Sequence, residues 1–221
     1  YEMWIGLVGS EMFIRDRIYT LSSKNSYSLG KFMARKALYS VEEVLSNAIQ
    51  IFLEHGYNGA VMDEIIARTD FNRRGFYMEF GSKQTFLYRV LEHYRQTCLD
   101  PVFQNLEHNT GLPSIQKFFK DYISLVKGQG CLLVNIVTEL GFDDEQVREV
   151  GRHHLDRLEI GFIGCLEKGV EQRQVKSNIN IEATALQLCN YVQGFAVTAI
   201  LAGQTDELDL ATEALLEPLA A

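Results

Sequence analysis

The sequence predicts an all-α fold, and three observations carry that expectation. Apolar residues recur at spacings of three and four over most of the chain, while few runs alternate polar with apolar at the two-residue period of a strand. Only three prolines interrupt 221 residues. Ser, Asn and Asp stand immediately before several apolar stripes, where a helix takes its N-cap. About nine helices are expected, with no strand and no internal repeat.

The first 30 residues follow no helical or strand period, and the chain opens on Tyr1. The string Gly6-Leu-Val-Gly-Ser-Glu-Met-Phe-Ile-Arg-Asp-Arg17 resembles translated adaptor sequence, and Met33-Ala34-Arg35-Lys36 offers a natural start. Residues 1–32 are therefore expected to be a non-native or disordered extension, ahead of one domain over 33–83 and a second over 84–221. The apolar run Trp4–Val8 is too short for a signal peptide.

The helices then follow in order. Ser40-Val41-Glu42-Glu43 reads as a capping box before the stripe Val44, Leu45, Ala48, Ile49 and Phe52, which Gly56 ends. Residues 62–69 form a short second helix packed through Ile65 and Ile66. Asn72 caps a third over 72–80. Ser82 caps a fourth with the stripe Leu87, Val90, Leu91, Tyr94 and Cys98, which Pro101 ends or kinks. Pro113-Ser114 opens the fifth, with Ile115, Phe118, Phe119, Tyr122 and Val126 on one face, closed by Gly128–Gly130. Leu132–Leu140 is apolar nearly all round, which implies burial in a bundle. Asp143 begins a long helix to about Gln172, and Ile181–Ala202 and Asp206–Leu216 complete the set.

Composition restricts the function classes. Apolar and charged shares of 47% and 23% are ordinary for a soluble globular protein. The stretch Gly194–Gly203 is roughly half the length of a membrane span. Cys98, Cys131, Cys165 and Cys189 are widely separated, without a C-x-x-C pair, so a disulfide framework is not expected and a reducing cytoplasmic location fits. The net charge of −8 is unevenly distributed. Residues 31–95 carry nine basic and eight acidic groups, whereas residues 96–221 carry nine basic and eighteen acidic ones. A weakly basic reader on an acidic body is compatible with DNA binding, because local charge outweighs the sum.

Ala60–Lys83 concentrates the chemistry. A helix opening Asn72-Arg73-Arg74 presents free backbone N–H groups and two guanidinium groups at its leading end. Arg73 and Arg74 suit paired hydrogen bonds to guanine O6 and N7 in the major groove. Arg35 and Lys36 form a basic lead-in suited to the backbone or minor groove. Phe76 and Phe80 are expected to hold the small helices together, with Phe76 also counted among the residues of the DNA-binding segment.

From Val44 to about Tyr88 the chain resembles the tetracycline-repressor (TetR) family of bacterial regulators. The anchors are Ala48 and Phe52, Gly56-Tyr57, Asp63-x-Ile65-x-Ala67, Phe76-Tyr77-x-x-Phe80 and Ser82-Lys83. Gly130–Asn135, GCLLVN, resembles the same place in many relatives. The resemblance implies a helix-turn-helix head, a helical ligand-binding and dimerisation body, and a homodimeric repressor released from a palindromic operator by a small molecule. It implies phosphate contacts for Tyr77 and Lys83. The ligand is expected among Tyr94, Phe118, Phe119, Tyr122, Leu133, Val137, Phe162 and Phe195. Three departures stand out: Ala60-Val61 where the family has a Thr or Ser cap, Asp70 in place of the turn glycine, and Gly75 inside the reading helix.

Outside the head, Cys131 precedes a buried helix, and a thiol at a helix N-terminus can have a lowered pKa suited to sensing oxidants. An alternative reading is thus a helical ligand- or redox-sensing protein with impaired or lost DNA binding. His153-His154 is expected on a solvated face, without metal-ligand spacing. No triad or phosphate-cradling loop supports an enzyme, and no cofactor is expected. Ala185, Leu188, Cys189, Val192, Phe195, Ala196 and Ala199, with Leu208, Ala211 and Leu215, are expected to form a four-helix homodimer interface through the last two helices.

Overall fold

Apolar stripes at helical spacing fold into ten α-helices among the described residues. A computed structural model of the protein describes residues 40–69, 71–201 and 206–221. The expectations for residues 1–32, for Arg35 and Lys36, and for Asp70 lie outside them. The helices are α1 (Val41–Gly59), α2 (Met62–Arg68), α3 (Arg73–Phe80), α4 (Lys83–Tyr94), α5 (Asp100–Glu107), α6 (Leu112–Val126), α7 (Leu132–Leu140), α8 (Glu145–Glu171), α9 (Ile181–Leu201) and α10 (Asp206–Leu216). Among the described residues, β pairing is limited to one isolated bridge, Val175 with Ala220. The described residues form one compact unit. The division expected at 83/84 falls inside it, at the start of α4.

Several boundaries differ from the sequence reading for identifiable reasons. Pro101 does not end the helix: the backbone stays helical from α4 through a π-helical turn over Arg95–Leu99 into α5, whose first turn holds Pro101, so the irregularity falls just ahead of the proline that interrupts the hydrogen-bond ladder. The Ser40 side chain makes no cap bond, so the expected capping box does not form; packing of the buried Val44–Phe52 stripe stabilises α1 instead. Asp144 caps α8, accepting from the Val147 N–H at 3.1 Å. Ser82 caps α4 as expected, exchanging bonds with Thr85.

The stripe expected to form the dimer is the inner face of one subunit. Ala185, Leu188, Cys189, Val192, Phe195, Ala196 and Ala199 are all buried within the single chain, because α9 packs on both α6 and α8. Leu208 is likewise buried, and Ala211 and Leu215 are half-buried against the same core.

Helix α1 breaks at Gly56, whose φ of 65° favours glycine. The break exposes two backbone amides, and the Glu139 carboxylate of α7 accepts from both, at 2.7 Å from Tyr57 N and 2.7 Å from Asn58 N. A Cβ at position 56 would approach Glu139 Oε2 to 2.7 Å. Asp144 forms a second tie, accepting from Gln84 Nε2 at 2.8 Å and from the Tyr88 hydroxyl at 2.6 Å. Charge-assisted bonds of this kind each contribute about 1.5–3 kcal/mol. Glu139→Ala should therefore lower the unfolding free energy by about 2 kcal/mol or more. Gly56→Ala should cost at least about 1 kcal/mol from left-handed strain alone. Urea denaturation of the variants checks both values.

Candidate DNA-binding and effector sites

The two short helices are carried on an aromatic core. Phe71, Phe76, Phe80, Phe86 and Phe52 form a chain of ring contacts with centroids 4.6 to 6.3 Å apart. Phe76 is fully buried. Its place among the DNA-contacting residues is corrected accordingly: it orients α3 from beneath and cannot meet a duplex.

Helix α3 starts cleanly because Asn72 Oδ1 accepts from the Gly75 N–H at 2.7 Å, a cap worth about 1 kcal/mol. A Cβ at Gly75 would lie 3.3 Å from Asn72 Oδ1 and 3.5 Å from the Phe71 ring, a fit that needs only a small shift of the cap. On the outward face stand Arg73, Arg74, Tyr77 and Met78, all exposed. The two arginines differ. Arg73 pairs with Asp63 of α2, whereas Arg74 has no ion-pair or hydrogen-bond partner among the described residues. An exposed pair contributes little and exchanges readily for a phosphate. Met78 is 78% exposed and was missed by sequence reasoning; its position one turn beyond Arg74 was the available signal.

The flanking residues fix the reading helix. Lys83 is half-buried with Nζ 4.4 Å above the Tyr57 ring, and burial lowers its pKa while Glu139 opposes the shift. Arg89 pairs with Glu79 at 2.9 Å and lies over the Phe80 ring, joining α3 to α4. Val61 caps α2 without a side-chain bond, as the Ala60-Val61 departure implied, and Ala60 is fully buried.

In the body, the residues expected to line an effector pocket are mostly close-packed. Phe118, Phe119, Tyr122, Phe162 and Phe195 contact one another with centroids 5.3 to 5.8 Å apart, Tyr94 is buried, and Val137 is half-buried. Leu133 faces open space. It lines a cavity of about 440 Å³ with Leu99, Phe103, Val150 and His154, and with Glu92, Arg95, His153 and Arg157. Phe195 borders a separate outer cleft with Tyr191, Gly194 and Leu215.

Comparison with known proteins agrees with this architecture. A model described as bacterial regulatory proteins, tetR family, matches residues 44–90. A second, described as tetracyclin repressor-like, C-terminal domain, matches residues 111–215. The chain belongs to the TetR family. The HTH-type transcriptional repressor DhaR of Mycobacterium sp. (strain GP1) is 25% identical over 180 residues, covering 80% of this chain and 91% of DhaR. Among solved structures, a cysteine mutant of the TetR family regulator CifR, complexed with 26-bp operator DNA, aligns with TM-score 0.72 at 18% identity, covering 83% of this chain and 98% of CifR. Reduced NemR of E. coli aligns with TM-score 0.69 at 20% identity, covering 81% of this chain and 97% of NemR.

Two body residues of this TetR chain depart from expectation. Cys131 is fully buried, and burial pushes its thiol up, not down; the depressed pKa expected at a helix N-terminus is not found. The Tyr94 hydroxyl lies 3.7 Å from its Sγ. His153 is exposed as expected, but its neighbour His154 is buried. Among the described residues, one cluster has metal-ligand spacing, Glu54, His55 and Glu64, and the Arg68 guanidinium already bridges its two carboxylates. No helix among the described residues is long and apolar enough to cross a membrane.

Burial, with Arg157 nearby, lowers the His154 pKa from 6.5 to about 4. Between these values the unfolded chain binds a proton that the folded one refuses, so stability falls as pH drops through that window. Wild type should lose about 2 kcal/mol more than His154→Leu between about pH 7 and about pH 5, measured by urea midpoints. Equal losses would contradict the neutral, buried imidazole.

Proposed function

We propose that the protein is a homodimeric transcriptional repressor that reads a palindromic operator with two copies of α3 and leaves it when a small molecule fills the body cavity. The observation that carries the reading is α3 itself: a short, Asn-capped helix on an aromatic core, with Arg74 and Tyr77 free on its outer face. Arg74 is the base reader. Tyr77, Lys83 and the capped N-terminus serve phosphates, and Arg73 exchanges Asp63 for DNA. Arg35 and Lys36 extend the contact to the backbone or minor groove. The repressor and operator in the names of the relatives support this reading. A single eight-residue helix touches few bases, so two copies spanning half-sites one helical turn apart are required.

The dimer forms through α9 and α10, by their outward faces. Leu186, Tyr191, Val197 and Leu201 recur along the exposed side of α9 with Gly194 among them, and Leu210 continues the surface on α10. A Cβ on Gly194 meets nothing within 4 Å, so the subunit has no steric need for glycine there, whereas close approach of a second helix does. Gly194→Arg should convert the dimer to a folded monomer in sedimentation velocity and abolish cooperative operator binding.

Fluorescence anisotropy with DNA from beside the protein's own gene tests the reading. Arg74→Ala should weaken operator binding by about 10- to 100-fold, equivalent to about 1–3 kcal/mol of base discrimination, with a much smaller loss on random DNA. Lys83→Ala should weaken both alike and flatten the salt dependence. Equal losses on both DNAs for Arg74→Ala would contradict base reading.

A further inference from the structure

The cavity between α4, α5, α7 and α8 has a chemistry that selects its occupant. Its walls, Leu99, Phe103, Leu133 and Val150, are apolar. Glu92, Arg95, His153 and Arg157 line it as well, and the most buried of its polar side chains is His154, which is 7% exposed and whose Nε2 is buried without a hydrogen-bond partner. The ring packs against Phe103 at 5.3 Å between centroids, and the Arg157 guanidinium lies 4.5 Å from the Phe103 ring centre. The imidazole is fixed in place with hydrogen-bonding capacity unused, where an apolar residue of similar size would cost less.

The rim argues against a charged ligand. Arg95 is already paired with Glu92 at 2.6 Å and with Asp100 at 2.9 Å. Arg157 is paired with the same Asp100 and with Glu107 at 2.5 Å. Two guanidinium groups therefore face three carboxylates, leaving no surplus positive charge for an anion. The carboxylates are equally engaged, so a cation entering the apolar interior would lose its water without a free partner. A neutral imidazole has one N–H donor and one bare acceptor nitrogen. A hydroxyl both donates and accepts, so it satisfies whichever nitrogen is presented.

We propose that this cavity binds a small, uncharged, largely apolar molecule bearing a hydroxyl group, with that hydroxyl hydrogen-bonded to the His154 imidazole. The inference rests on the effector-cavity reading above and adds the ligand class. A volume of about 440 Å³ suits a ring or short chain.

Three probes of matched shape test it by NMR titration of the full-length protein: 4-methylphenol, p-xylene and 4-methylbenzoate. Wild type should bind 4-methylphenol at least about tenfold more tightly than either of the others. His154→Leu should erase the margin over p-xylene, and His154→Gln, which keeps a donor and an acceptor, should retain part of it. Equal binding of 4-methylphenol and p-xylene by wild type, preference for 4-methylbenzoate, or binding of none of the three would overturn the proposal. Val150→Trp, which fills the cavity, separates the two layers. Should it leave 4-methylphenol binding unchanged, the cavity reading itself fails. If it abolishes binding but wild type shows no hydroxyl preference, the ligand class alone is wrong.

Discussion

The Glu139 carboxylate on the Tyr57 and Asn58 amides ties the short helices to the body. Helix α1 stops at Gly56 and must turn to deliver α2, and a turn there leaves two N–H groups with no helical acceptor. The acceptor comes from α7, some eighty residues along the chain. That bond fixes the direction in which the short helices leave α1, and so the direction in which α3 points. Asp144 repeats the device on α4 while capping α8. One carboxylate at the end of α7 and another at the start of α8 thus hold the reading head to the body, on either side of a short turn.

The same helices wall the cavity. Leu133 lies on α7 ahead of Glu139, Val150 and His154 lie on α8 beyond Asp144, and Glu92 closes the space from α4. In the proposed function, a molecule seated there acts on the three helices that carry the head's attachments. Close-packed helices shift between discrete arrangements instead of deforming smoothly. A shift of Glu139 acts on two charge-assisted bonds at once, and a ligand favouring the shifted arrangement moves the population toward it.

Much of this was legible in the sequence, and the parts that were not share a cause. The α1 stripe, the Asn72 and Ser82 caps and the Phe76–Phe80 core follow from local spacing, which a sequence displays directly. The outward face of α3 was legible in Arg74 and Tyr77, whereas Met78, exposed on the same face, carries no charge to mark it. The body misled in a consistent way. Periodicity shows that α9 has an apolar face but not what covers it, and the richest stripe turned out to be the subunit's own core. The aromatic residues expected around a ligand fill the interior themselves. Glu139, Asp144 and His154 were invisible in their roles, because each depends on a partner 50 to 80 residues away or on the absence of one.

The body positions the head through the Glu139 carboxylate. Amide hydrogen exchange over residues 53–80, compared between wild type and Glu139→Gln, tests it most directly. Protection should fall at Tyr57 and Asn58 and through α2 and α3, while α6, α8 and α9 keep theirs, because only the head loses its tether. Unchanged protection at Tyr57 and Asn58, or an equal loss throughout the body, would contradict it.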